Sequence, residues 1–173
     1  TIDKSNTLIQ EVKNYLDILE TPRPEYSGLP TCPFVKKERI NDNLFIDVFD
    51  NTKSTFLDKM SCFIDSKYTD AVFAQKIEGE FSSKVSKDYQ AFLNSIVDEH
   101  FNKYKIIVIN PNDDFSVKGF KPRSLAPCVL ILVTEAEKLI KSHNKMLNSQ
   151  YFANFDKEYL DHLLVQDEEI NLK

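Results

Sequence analysis

Two short runs of the chain are apolar almost without interruption, and they limit the possible folds more than any other feature. The runs are Lys105–Ile109 and Cys128–Val133. Neither alternates apolar with polar residues, so each predicts a strand that is covered on both faces, at the centre of a sheet. The connection between them has no helical pattern, which favours two antiparallel neighbours and a mixed sheet.

The rest of the chain supplies two further strands and a set of amphipathic helices. Leu44–Phe49 and Ala71–Ala74 have the composition of strands. Apolar residues recur with helical spacing in five segments, residues 5–20, 56–64, 82–100, 134–147 and 157–165. The alternation predicts an α/β sandwich, a single domain over residues 1–173, with a mixed sheet of about four strands and flanking helices. Residues 1–4 and 166–173 are expected to fray.

Polar residues in front of three helices predict their N-caps. They are Asp50 to Thr52 for the second helix, Ser82 and Ser83 for the third, and Thr134 with Glu137, a capping box, for the fourth.

Composition excludes several classes of protein. The 173 residues carry a formal net charge of −5, so the chain is not built to coat nucleic acid or an anionic membrane. Three glycines exclude a glycine-rich phosphate loop, and no apolar run is long enough to span a bilayer. Three cysteines without a Cys-x-x-Cys pair indicate neither a disulfide framework nor a zinc finger, and they favour the reducing cytoplasm. The sequence indicates no particular cofactor and no metal site.

Arginine is scarce in this lysine-rich chain, so its positions are informative. Of the 22 basic residues, only Arg23, Arg39 and Arg123 are arginine. Where lysine is the default cation, an arginine indicates a place that needs a planar guanidinium, which binds carboxylate or phosphate through two hydrogen bonds. The alternative is that the three arginines lie on the surface or fasten loops to backbone carbonyls.

Two irregular segments combine positive charge with a cysteine beside a proline. They are residues 28–39, with Cys32, and residues 115–128, with Cys128. The second belongs to a connection, residues 110–127, that is long for a small domain, and such loops are often functional. We expect the two segments to form one pocket for a small anionic ligand that bears a phosphate or a carboxylate. The candidate ligand-binding residues are Lys36, Lys37, Arg39, Lys121 and Arg123.

Cys32 is the candidate catalytic residue if the protein is an enzyme, a question that the sequence leaves open. A thiol at the start of a helix and close to two lysines is expected to have a lowered pKa and to form a reactive thiolate. The order Cys-Pro-Phe is similar to the motif of glutaredoxins, but Val35 stands where their second cysteine would be and no strand precedes Cys32. The alternatives are a ligating thiol and a thiol packed in the core.

Other titratable side chains fit structural roles. The remaining two cysteines are predicted to be core residues. His100 and His143 fall on the apolar sides of their helices, which indicates satisfied core histidines, and no two histidines have the spacing of a local metal motif. Asp47 and Asp50 lie at the C-terminal end of the first strand and are possible ligands or general bases, because open α/β sheets bind ligands at the carboxyl ends of strands.

Two functions of other classes stay open. One is a protein-binding role, such as a phage protein that binds a host protein, through an aromatic surface of Tyr151, Phe152, Phe155 and Tyr159. The other is binding of single-stranded nucleic acid through cations interleaved with aromatic rings, although the net charge of −5 argues against it. The residues for that role are Lys118, Lys121, Arg123, Phe115 and Phe120.

Two short segments carry a resemblance to a known group of proteins. Residues 29–36 have the order Leu-x-x-Cys-Pro-Phe-x-Lys, which resembles a signature near the start of small proteins of bacteria and marine phages that have no assigned activity. Residues 151–160 resemble the aromatic C-terminal end of the phage members. The resemblance implies a discrete small cytoplasmic protein of viral origin. It directs attention to Cys32 and Lys36 and assigns no catalytic role.

Overall fold

Helices and strands alternate along most of the chain, of which the structure, a computed structural model, describes residues 4–163. In chain order they are α1 (Lys4–Glu20), β1 (Pro22–Arg23), β2 (Leu29–Pro30), α2 (Val35–Ile40), β3 (Leu44–Val48), α3 (Phe56–Ile64), β4 (Asp70–Gln75), α4 (Ser83–His100), β5 (Tyr104–Ile109), β6 (Val129–Glu135), α5 (Ala136–Leu147) and α6 (residues 157–163). The ends expected to fray lie outside the described residues, except for Lys4, which begins α1.

Four strands form one mixed sheet in the order β3-β4-β6-β5. β3 and β4 are parallel and are joined through α3, whereas β6 is antiparallel to both of its neighbours. This confirms the predicted α/β fold with a mixed four-stranded sheet, and it confirms the antiparallel pairing of the two apolar strands. A separate ladder of β1 with β2 lies in the proline-rich stretch before Cys32, where the sequence predicted only an extended loop.

β5 lies at an edge of the sheet, and the prediction that it is central was wrong. Helix α4 covers the open side of β5 with side-chain amides. Asn94 Oδ1 accepts a hydrogen bond from the backbone N–H of Ile106 (2.9 Å), and Asn94 Nδ2 donates to the Ile106 carbonyl (3.0 Å). Gln90 Oε1 accepts from the N–H of Val108 (2.9 Å). Because these amides stand in for a fifth strand, β5 can be apolar on both faces and still lie at the edge.

Helices cover both faces of the sheet. On the first face, α3 and α4 bury a core centred on Met60, Phe63, Phe73, Leu93, Val97, Ile106 and Ile131. On the second face, α1 buries a core centred on Val12, Tyr15, Leu16, Val72, Ala74 and Leu130, and α5 lies beside β6. No helix within residues 4–163 has an apolar stretch long enough to cross a membrane.

A third cluster of side chains, which we call the aromatic cluster, lies outside the sandwich. It joins the β1–β2 ladder, the connection 110–127 and the segment 151–163. Its most buried members are Tyr26, Val117, Tyr151 and Phe152, and Phe115, Phe120 and Phe155 pack against them. The C-terminal segment is therefore held by aromatic contacts with loops that are distant in sequence.

The helix starts differ from the predicted caps at two places. Thr55, not the Asp50 to Thr52 stretch, caps α3, through a capping box with Asp58. Thr134 is still part of β6, so the helix that follows begins after Glu135 without a side-chain cap. Ser82 caps α4 as predicted. The short helix α2, directly after the Cys32 segment, was not predicted.

Replacing Asn94 tests the amide closure of β5. Asn94→Leu leaves the N–H and C=O of Ile106 without their partners, so we expect the free energy of unfolding to fall by about 2 kcal/mol. Urea unfolding followed by circular dichroism measures the change. The matched control is Asn14→Leu, because Asn14 is an exposed helical asparagine whose side chain accepts a hydrogen bond from Gln10 of the same helix, and it should change stability by less than about 0.5 kcal/mol. Equal effects of the two replacements would contradict the closure.

Candidate functional site

A cavity of about 310 Å³ lies on the second face of the sheet, between α1, α2 and α5. The Cys32 segment contributes Cys32 and Val35 to its wall, and the connection 110–127 contributes Phe115 and Arg123. The two irregular segments therefore meet at one cavity, as the sequence predicted. Most of the remaining wall is apolar or aromatic and comes from the sheet, α1, α5 and the segment 151–163.

Arg123 is the one candidate cation that lines this cavity within the described part of the chain. Its Nη1 donates to Asp113 Oδ2 (2.6 Å), and its guanidinium carbon lies 4.9 Å from the centre of the Phe115 ring. Burial raises the pKa of the phenols of Tyr15 and Tyr151, and the charge of Arg123 opposes that rise in both. Arg123 and both phenols therefore line the same cavity, and Asp113 engages Nη1 of the guanidinium.

Cys32 lines the same cavity, but its environment does not activate it. Burial raises the pKa of the Cys32 thiol, and hydrogen bonds from the backbone of Phe34 and Val35 offset only part of the rise. The expectation of a lowered pKa was wrong, because the thiol faces the apolar core and the lysines of α2 project into solvent. At neutral pH the group is a protonated thiol, which is a poor nucleophile.

A buried ionic cluster, which the sequence did not reveal, lines another part of the wall. Lys138 Nζ lies 2.9 Å from Glu38 Oε2 and 2.5 Å from Asp70 Oδ2. Both acids are buried residues, and their side chains are only about one-tenth exposed. Burial alone would lower the pKa of Lys138, but its hydrogen bonds to Asp70 and Glu38 outweigh burial and raise it. The three residues come from α2, β4 and α5, so no local pattern could indicate their meeting.

A threonine hydroxyl beside Cys32 adds one more polar group to this wall. Thr31 is nine-tenths buried, and its Oγ1 has no hydrogen-bond partner among the described residues. The hydroxyl of Tyr151 donates a hydrogen bond to the backbone carbonyl of Thr31. Polar groups in the cavity are therefore few and separately placed on an apolar background.

The other predicted ligand-binding cations do not line the cavity. Lys36 and Lys37 are exposed on α2. Arg39 faces away from the cavity and binds two acids of α1, Asp17 (2.7 Å) and Glu20 (2.9 Å). Lys121 lies 3.8 Å from Asp114 at the surface. The predicted convergence of basic residues is thus reduced to Arg123. Lys36 and Lys37 project into solvent, and acids of α1 and of the connection bind Arg39 and Lys121.

Both aromatic surfaces considered for other functions are occupied by the protein itself. Phe120 packs edge-on against Tyr26 and has the Arg23 guanidinium 3.6 Å above its centre. Phe115 contacts Tyr159, with 4.7 Å between ring centres. Tyr151 is buried in the aromatic cluster, as is Phe152. At these positions the aromatic rings pack against other parts of the protein. They therefore form neither an exposed patch for a partner protein nor free surfaces on which bases could stack.

Two further predictions of burial were wrong, and two were right. Cys62 is exposed on α3, because Met60 and Phe63 occupy the buried side of that helix. His100 is exposed at the last turn of α4. Cys128 is buried, which raises its pKa to about 11, and His143 is buried in the cavity wall. Residues 4–163 contain no group of three or more histidine, cysteine or acidic side chains that could hold a metal.

A wider groove of about 900 Å³ lies at the carboxyl ends of β3 and β4, where the sequence placed Asp47 and Asp50. The two aspartates are engaged within the protein. Asp47 binds Lys59 (2.7 Å), and Asp50 accepts hydrogen bonds from the backbone and hydroxyl of Thr52 in its own loop. These contacts shape the loop before α3, so the apolar cavity is the better candidate for a binding site.

Comparison with known proteins yields no relative of this chain. No protein-family model matches it, and neither a curated protein nor a solved structure is significantly similar. The resemblance of the Cys32 segment to small bacterial and phage proteins therefore stays a prediction, and the function must be argued from the geometry.

Alkylation rates test the state of the thiols. We expect iodoacetamide at neutral pH to modify the exposed Cys62 at least about tenfold faster than Cys32, because Cys32 is less accessible and burial raises the pKa of its thiol. Peptide mapping by mass spectrometry at successive times gives the rates. In denaturant the two rates should become similar. A Cys32 that reacts first in the folded chain would contradict the buried, protonated thiol.

Removing the ammonium of the ionic cluster should be costly. Lys138→Met leaves two buried carboxylates without a counter-charge, so we expect the free energy of unfolding at neutral pH to fall by about 3 kcal/mol. Because folding raises the pKa of Lys138, this stabilisation is complete below the ordinary lysine pKa of 10.5 and is lost as the pH rises beyond the raised value.

A matched exposed pair provides the control for that measurement. Lys67 binds Asp42 at 2.6 Å with both side chains about two-thirds exposed, and Lys67→Met should change stability much less than Lys138→Met, because water screens an exposed ion pair. Denaturant titrations across the pH range compare the two variants. A loss for Lys138→Met no larger than for Lys67→Met would contradict the burial of the cluster.

Proposed function

We propose that the protein binds a small, mainly apolar molecule that bears one acidic group, a carboxylate or a phosphate, in the cavity on the second face of the sheet. The observation that carries the proposal is the cavity of about 310 Å³, with its apolar and aromatic wall and a guanidinium in it. Binding sites for small molecules have this character, with a few polar groups fixing the orientation of a ligand held by apolar contacts.

Arg123 is the group that would select the acid. Asp113 occupies Nη1, and the Nε and Nη2 donors have no hydrogen-bond partner among residues 4–163. A carboxylate or phosphate placed against that second edge accepts two parallel hydrogen bonds from the guanidinium. The neighbouring ring of Phe115 limits the movement of the side chain, so the donors are held in place before the ligand arrives.

The proposal is narrower than the multi-cation site expected from the sequence. Lys36, Lys37, Arg39 and Lys121 take no part in it, and a ligand with a large negative charge is disfavoured. The ionic cluster has two carboxylates and one ammonium, so its net charge is negative and it repels further anionic groups. A ligand with one acidic group at Arg123 and an apolar body in the rest of the cavity therefore fits best.

Cys32 contributes surface to the cavity in this proposal and performs no thiol chemistry. A protonated thiol contacts an apolar ligand much as a small apolar side chain does. The proposed activity is therefore binding and not catalysis. We place the protein in a reducing cytoplasm, which is supported by its three unpaired cysteines.

Three probes that share an eight-carbon chain and differ in their head group distinguish the contribution of the acidic group from that of the apolar contacts. We expect octanoate to bind more tightly than octanol, and octylammonium to bind most weakly, in calorimetric titrations of the full chain. Arg123→Gln should weaken the binding of octanoate about tenfold or more and leave that of octanol nearly unchanged, because the lost interaction is the hydrogen-bonded charge pair.

Arg39 provides the matched control, since the two arginine side chains are equally exposed (26%) and each binds acids. Arg39→Gln should leave the affinity for octanoate unchanged, because Arg39 lies outside the cavity. Ser142→Phe, which fills the cavity from α5, should weaken all three probes. Octylammonium binding as tightly as octanoate, or an equal loss in both arginine variants, would refute the proposal.

A further inference from the structure

The two edge strands of the sheet, β5 and β3, differ in how their open sides are covered. The amides of Gln90 and Asn94 close the edge at β5. Nothing comparable within residues 4–163 covers the edge at β3, and each residue from Leu44 to Val48 is partly exposed. Open strand edges present backbone groups to which another strand can bind.

Hydrogen bonds to β4 show which backbone groups of β3 point outward. The carbonyl of Asn43 accepts from the N–H of Asp70, and the N–H of Phe49 donates to the carbonyl of Ala74. Alternate residues of a strand bond to the same side, so Phe45 and Asp47 also face β4. The N–H and C=O groups of Leu44 and Ile46 therefore face away from the sheet.

These outward groups have no partner within the described residues. The next outward N–H, that of Val48, is different, because the side chain of Asp47 accepts its hydrogen bond at 2.8 Å. The open stretch of the edge is thus short and ends at a defined place. It can take one extended segment alongside residues 44–46.

A groove of about 340 Å³ lies along this open stretch. Its floor is the edge of β3 from Leu44 to Ile46, with Ile9 and Lys13 of α1 on one side and Tyr68 on the other. Unbonded backbone groups and a groove at the same three residues are the two features that binding by strand addition requires.

The charges of the groove indicate the chemistry of its occupant. Of the charged residues that line it, Arg39 is bound to two acids and Asp42 is bound to Lys67. Lys13 has no ion-pair partner in the described part of the chain. An occupant with an acidic side chain on the α1 side and apolar side chains toward Tyr68 complements the groove.

A second copy of this chain is a poorer occupant. Two copies joined antiparallel through β3 are related by an axis perpendicular to the sheet, so their α1 helices lie on the same face. The two Lys13 ammonium groups would then approach each other across the axis, which is unfavourable.

We propose that the edge of β3 is a docking site for an extended acidic-apolar segment of a partner protein, which adds a fifth strand to the sheet beside Leu44 and Ile46. The backbone groups of β3 provide the affinity, and Lys13 provides the preference for acidic residues. This site is separate from the ligand cavity, so either can fail without the other.

Synthetic peptides test the proposal directly on the full chain. The probe is a fluorescein-labelled peptide, Thr-Val-Glu-Val-Glu-Val-Thr, measured by fluorescence polarisation, and its counterpart has lysine in place of both glutamates. We expect the acidic peptide to bind at least about tenfold more tightly than the lysine peptide. Lys13→Glu should reverse that order, a result that a merely destabilised protein would not give.

Methylation of the peptide backbone separates strand addition from nonspecific adhesion. Two versions of the acidic peptide carry N-methyl groups on alternate residues, one set toward β3 and the other toward solvent. The version methylated on the N–H groups that face β3 should lose binding, and the version methylated on the solvent side should retain it, because only one edge of the peptide forms hydrogen bonds with the sheet. Equal binding of both versions would overturn the proposal.

Proline replacements locate the site on the protein. Ile46→Pro removes an outward N–H at an edge, where proline is tolerated, and should abolish binding of the acidic peptide. Val48→Pro changes the same edge beyond the groove and should retain binding of the acidic peptide. Unchanged binding in Ile46→Pro would overturn the proposal. A wild-type dimer in light scattering that Ile46→Pro converts to a monomer would overturn it in favour of a second copy.

Discussion

The pairing of β6 with an antiparallel neighbour on each side is the interaction on which the rest of the structure depends. β6 is apolar along most of its length, and Leu130 and Ile131, which point to opposite faces, are fully buried. Such a strand is stable only if both faces of the sheet are covered. Helices α3 and α4 satisfy this on one face. On the other face α1 and α5 lie apart, and the gap between them is the cavity.

Much of the fold could be predicted because its causes are local. Alternation of helical and strand patterns, and the apolar runs of β5 and β6, gave the correct class and the correct pairing. The position of β5 could not be predicted, because the groups that close its edge, Gln90 and Asn94, are ordinary polar residues on the outer side of a helical pattern. Nothing in their spacing distinguishes them from solvated side chains.

The site was predictable in outline and not in its chemistry. Proline, cysteine and arginine marked the two segments that meet at the cavity. The state of each charge depends on partners that are distant in sequence, such as Asp17 for Arg39. The raised pKa of Cys32 likewise follows from its packing against the core that α1 buries. A pattern of residue types locates a site, whereas pKa values and free donors follow only from the assembled core.

The aromatic cluster has a consequence for how the molecule moves. Its contacts join segments around residues 26, 117 and 151 that lie outside the two cores of the sandwich, so the ladders of the sheet do not depend on it. It forms the outer wall of the cavity, since Tyr26, Phe152 and Phe155 line the same space as Arg123. Because the outer wall and the sheet belong to separate clusters, the aromatic side chains of the wall can shift without disturbing the strand pairing. The width of the cavity on that side is therefore set by the packing of aromatic rings and not by the backbone hydrogen bonds of the sheet.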